Sequence, residues 1–366
     1  MFRSLVRVGA FAAATALMSA AAVAQDIDPQ LKDGWDWMQK NMPGVPYQLL
    51  VDACKEGDVM LYHGTWVDAQ QAQIAGFSQH FPCIKVETYS DSISVMRQRY
   101  MSEETAGRHV ADIVQDSDTS SLDDDNKAGL LMNYKISNDD KFADANKSVG
   151  IWYPIRVALV GIAWNTDNVS DEDAKILETW QGATDPRWAN RAAMSDPGSK
   201  GVAYQHLWAW YKMYGEDFLQ KIGAQHPRII AGANNSISSL ASGDVDVVLN
   251  ASETGLLPLF DKGAPIRWSL PSPGVGPLSA EAISKGAPHP NAAKLYQEYA
   301  FTQEGYGLWT RLGGAPATTA YPDTRDVAKE SWYKLPDSLF TIDPVQSSAD
   351  FDKLIADFNK YVGTSR

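Results

Sequence analysis

The chain has 366 residues, with 45 acidic against 32 basic side chains and a formal net charge of −13. That length suits two domains of ordinary size. The acidic balance argues against nucleic acid as a partner, because phosphate neutralisation needs clustered Lys and Arg.

In chain order, the first element is a leader. Arg3 and Arg7 make a short positive region, "VGAFAAATALMSAAAVA" is apolar and rich in small residues, and Ala22-Val23-Ala24 gives an A-x-A site before Gln25. This pattern predicts a secretory signal over 1–24 and an exported mature protein. The alternative is an uncleaved anchor. No later stretch approaches the roughly 20 apolar residues a membrane span requires. In an oxidising compartment the two cysteines, Cys54 and Cys83, read as a disulfide.

From about residue 47 helices and strands alternate. "YQLLVDACKEG" reads as a helix and "DVMLYHG" as a strand. "VDAQQAQIAGFSQHF" has helical spacing, "CIKVETYS" is a strand, "SISVMRQRYMSEETAG" a helix and "ADIVQDS" a third buried strand. If the first two strands are parallel neighbours, Cys54 and Cys83 lie at adjacent starting ends, where a bridge is geometrically reasonable. The acidic run 121–127 reads as a solvated loop. Near Gly150 a longer β-rich run begins, "WYPIRVALVGIAWNT". A second βα set follows in "RAAMSDPGS" with its helix, "RIIAGANNSISSLASG" and "DVDVVLNAS". After a Pro/Gly-rich passage comes another strand, and "PNAAKLYQEYAFTQEGYGLWTRLGG" is amphipathic and helical.

This rhythm predicts α/β architecture, with parallel sheets covered by helices on both faces. Ligand-binding residues then gather at the carboxyl ends of strands. The candidates are His63 and Trp66 after the first strand, Ser92 after the second, and Ser117 and Asp118 after the third. Trp152, Tyr153 and Arg156 open the long β-rich run. There an aromatic pair with a guanidinium suits an anionic ligand, and interlobe packing explains the same residues.

Several segments in this order resemble type II periplasmic solute-binding proteins of ABC importers, the group that includes ferric-ion, phosphonate and sugar-phosphate binders. They are "GDVMLYHGTW", "ADIVQDSD", "SISSLASGDVDVVLNAS" and "ISKGAPHPNAAKLYQEYAFTQEGYGLWTRLGGAPA". The resemblance implies two doubly wound lobes closing on a solute, with a hinge crossed twice, near 155–166 and 274–283. It implies a first lobe over 45–157, a second over 158–280, and a return to the first lobe with C-terminal helices over 281–366. It further implies a monomer that needs no cofactor and delivers its solute to a membrane permease.

The ferric-binding members carry adjacent tyrosines where this chain has 250–254, "NASET". A bare ferric site therefore loses its phenolate anchor. Asn250 and Glu253 remain there as candidate ligand contacts, and with His63 the latter keeps a metal or metal-chelate ligand as the alternative. In relatives that bind phosphorylated or carboxylated solutes, a Ser/Gly-rich helix start faces the cleft. Here that place is 195–201, with Ser199, Lys200 and Gly201 at the helix start and Asn235 at the next one. A capping turn and an anion seat want the same residues. The rival class is an exported hydrolase, but the chain has no G-x-S-x-G elbow, H-E-x-x-H motif or dinucleotide fingerprint.

Overall fold

The computed structural model describes residues 27–64, 66–199 and 202–364. The predicted leader, together with Lys200 and Gly201, lies outside the described residues.

Two short helices, α1 (Lys32–Asn41) and α2 (Tyr47–Glu56), precede the first sheet. The chain then runs β1 (Asp58–His63), α3 (Val67–His80), β2 (Lys85–Ser90), α4 (Ile93–Thr105), β3 (Ile113–Asp116), α5 (Thr119–Lys127) and β4 (Trp152–Val157). The second sheet takes over with β5 (Val160–Asn165), α6 (Asp171–Ala174), β6 (Ala192–Ser195), α7 (Val202–Tyr214) and α8 (Glu216–Gly223). It continues through β7 (Arg228–Ile230), α9 (Ala233–Ala241), β8 (Val247–Ser252), α10 (Glu253–Phe260) and β9 (Ile266–Ser269). The return carries β10 (Leu278–Ile283), α11 (Pro290–Ala300) and α12 (Gln303–Gly313), and α13 (Pro344–Tyr361) ends the chain.

The first sheet has the order β2-β1-β3-β10-β4 and the second β7-β6-β8-β5-β9. In each, three strands are parallel and the strands next to the crossing run antiparallel to a neighbour. Helices cover both faces of each sheet, which buries the near-continuous apolar strands. This is the two-lobed α/β architecture expected. Asp58 pairs with Lys85, so the starts of β1 and β2 are neighbours. The Cys54–Cys83 disulfide closes there, with the Cα atoms 5.2 Å apart.

Four features differ from expectation. The run 121–127 is helical, because Asp118 caps α5 through the Ser120 N–H at 3.0 Å. The β-rich run near 155–166 splits at 158–159 into β4 and β5, one in each sheet. The chain also passes between the lobes a third time. After α12, Ala315 bridges to Val157, and Tyr321 joins the first-lobe core. Arg325 then reaches Glu253 of the second lobe, and Ser338 and Phe340 bond Gly274 on the return crossing. Helix α13 packs on the second lobe rather than the first. Its Leu354 and Phe358 enter the core under α7 and α8, Tyr204 donates to the Ser347 carbonyl, and Trp208 donates to Asp350 at 2.9 Å.

Candidate functional site

Arg156 is the next-to-last residue of β4, where β4 reaches the hinge. The pairing of β4 with β10 slips between Ser279 and Ala280. Arg156 Nε donates to Ser279 Oγ at 3.1 Å and Nη1 to the Gly313 carbonyl at 3.0 Å. Its Cζ sits 4.7 Å from the centre of the Trp66 ring, and Trp66 in turn meets Trp309 edge-on at 5.8 Å. Gly314 makes this approach possible: its φ is +139°, and a Cβ there would lie 3.1 Å from Arg156 Cδ. Nη2 makes no hydrogen bond among the described residues, and no carboxylate there lies within ion-pair distance of the guanidinium. Burial alone pushes its pKa down to about 10, so it stays charged at neutral pH. A cation with one free edge and no counter-charge among the described residues has the chemistry to receive an anion.

The other predicted residues divide. Trp66 stacks on Arg156, and Ser92 is exposed at the start of α4, with its N–H on Asp91 at 2.7 Å. Ser117, Asp118 and Trp152 line a separate cavity of about 220 Å³ with Gln205 of α7 and Phe340. There Asp118 is occupied as the α5 cap, and Trp152 Nε1 donates to Asp123 at 2.8 Å. Tyr153 is in the core, donating to Asp139 and accepting from the Gly150 N–H. His63 is fully buried beneath the β1 turn. Burial lowers its pKa, which favours the neutral ring.

In the second lobe, Asn250 is spent on the Ser195 backbone, accepting from its N–H at 2.8 Å and donating to its carbonyl at 3.0 Å. Glu253 is 1% exposed and takes Arg325 Nη1 at 2.8 Å and Tyr333 Oη at 2.7 Å. Asn235 donates to the Ala231 carbonyl in an exposed turn. Ser199 ends a 3-10 turn after β6. Among the described residues no group of three His, Cys, Asp or Glu side chains is placed to hold a metal ion. Ser279, Gly313 and Trp309, which shape the seat, were not among the predicted site residues. The Gly-Gly-x-Pro turn in the resembling segment was the available signal for Gly313.

Residues 65–334 match the family model for bacterial extracellular solute-binding proteins. An uncharacterized protein of Haemophilus influenzae is 28% identical over 199 residues, which span 50% of this chain and 56% of that protein. Among solved structures, iron-bound HitA from Pseudomonas aeruginosa is 18% identical, with a TM-score of 0.61 over 82% of this chain and 99% of that one. The Trichodesmium protein FutA, in complex with iron and citrate, is 16% identical, with a TM-score of 0.66 over 84% and 100%. AfuA from Actinobacillus pleuropneumoniae, with fructose-6-phosphate bound, is 20% identical, with a TM-score of 0.55 over 84% and 98%. These likenesses agree with the two-lobed fold, and the family match covers well over half of the sequence. The chain is a member of the bacterial extracellular solute-binding protein family.

Proposed function

We propose that this protein captures a small anionic solute between its lobes in the periplasm and delivers it, unchanged, to the permease of an ABC importer. The observation that carries the anionic charge is Arg156, a half-buried guanidinium held by Ser279 and Gly313 with no carboxylate beside it among the described residues. Relatives of this fold hold iron in one case and a sugar phosphate in another. The anionic group of the second kind of ligand fits the chemistry around Arg156. A bare metal ion fits poorly, since Glu253 is committed to Arg325 and Tyr333, and Asn250 to the Ser195 backbone.

Calorimetric titration with a panel of carboxylates and phosphate esters tests the reading, comparing the native chain with Arg156→Gln. A charge-assisted hydrogen bond contributes about 1.5–3 kcal/mol, so the variant should bind roughly 10- to 150-fold more weakly. Equal binding by the two proteins would reject Arg156 as the anion seat. A solute recovered chemically altered would reject capture without turnover.

A further inference from the structure

Five large hydrophobic side chains are strongly exposed among the described residues, and two of them are next in sequence to residues that touch Arg156. Val67, 46% exposed, opens α3 directly after Trp66. Leu312, 60% exposed, immediately precedes the Gly313 that holds the guanidinium. Trp309 of α12 donates to Gln70 of α3 at 3.2 Å, so the end of α12 and the start of α3 are neighbours. Single exposed hydrophobics are ordinary. Val67 and Leu312, with the half-buried Trp66, form a grouped apolar surface beside a cation that has no carboxylate partner among the described residues, the kind of surface that marks a binding site.

We infer that the solute is an amphiphilic organic anion. Its charged head, a carboxylate or a phosphonate-type group, meets Arg156, and its aromatic or branched aliphatic body lies against Trp66, Val67 and Leu312. This rests on the anionic reading of the same seat and narrows it. An inorganic anion would leave the apolar flank in water, and a polyhydroxylated body would bring hydroxyls to a surface that offers them few partners. Charge complementarity selects the head, and the exposed apolar side chains select the body.

The test uses matched probes differing only in the apolar body: phenylphosphonate against methylphosphonate, and phenylacetate against acetate, titrated into the native chain. Burying the ring should favour each phenyl probe by at least about tenfold. The two pairs show which head group the seat prefers. Val67→Ser and Leu312→Ser, both at exposed positions, should each reduce that preference several-fold and leave methylphosphonate and acetate binding unchanged. Equal binding within both pairs overturns the apolar body while leaving the anion seat standing. If the serine variants weaken all four probes alike, the flank is a contact made on lobe closure and the inference falls. If no probe binds and Arg156→Gln is indistinguishable from the native chain, the anionic reading fails, and this one with it.

Discussion

Two arginines in this chain, one buried and one half-buried, should respond very differently to the same substitution. Arg325 is 2% exposed and tied to Glu253, Asp323 and Tyr333. Burial works against its charge, but the neighbouring carboxylates more than offset that and hold its pKa above the ordinary value. Arg325→Met leaves Glu253 buried beside Tyr333 without its counter-charge, and should destabilise the fold by about 3–5 kcal/mol. Arg156→Met removes a cation that has no counter-charge. The drop from 12.5 to about 10 sets the relieved desolvation at roughly 3 kcal/mol as an upper bound. The lost hydrogen bonds to Ser279 and Gly313 cost about 1.5 kcal/mol each. The relief offsets part of that loss, so the net cost should be clearly smaller than that of Arg325→Met. Urea unfolding of the dialysed proteins at pH 7, followed by tryptophan fluorescence and far-UV circular dichroism, measures both. If Arg156→Met costs as much as Arg325→Met, Arg156 is a structural residue and the reasoning from its missing counter-charge is wrong.

Three further outcomes are expected. Glu281 is fully buried and its pKa is pushed up to about 7 by burial, with Gln115 donating to one oxygen. The native state therefore binds a proton that the unfolded chain releases between pH 4.5 and 7, and stability falls as pH rises through that window. In Glu281→Gln that loss, up to roughly 3 kcal/mol between pH 5 and 8, should be absent, and identical pH slopes for the two proteins would contradict it. Gly314→Ala, forced into a φ of +139° and against Arg156, should cost about 1–3 kcal/mol and weaken anion binding in calorimetry; native-like values in both would count against the packing described. Reducing Cys54–Cys83, which spans 29 residues, should lower stability by about 3–4 kcal/mol on the chain-entropy estimate, read as the drop in urea midpoint with and without reductant.

The parts of the fold legible in the sequence are those whose signals are local. The strands β1 and β3 are short apolar runs and β2 a short β-prone one, and the parallel pairing of β1 with β2 placed the two cysteines together. The third passage between the lobes was not legible, because 314–343 has no regular period. The apolar stripe of α13 announces a buried face without saying which lobe buries it. At the site, Trp66 and Arg156 were visible as residue types at strand ends. What makes Arg156 a seat is held by Ser279 and Gly313, more than a hundred residues away, and by the lack of a carboxylate, which is a property of three-dimensional space. Asp118, Asn250 and Glu253 show the reverse. Each is a polar residue near a strand end, and the fold uses each one on a helix cap, a backbone pair or a buried ion pair.

Native mass spectrometry of freshly purified protein, with the released solute then identified by its exact mass, tests the central claim most directly. The account predicts one organic anion bound per chain, released chemically intact, and lost or strongly depleted in Arg156→Gln while the variant remains folded. A metal ion or cationic solute retained equally by both proteins would contradict it.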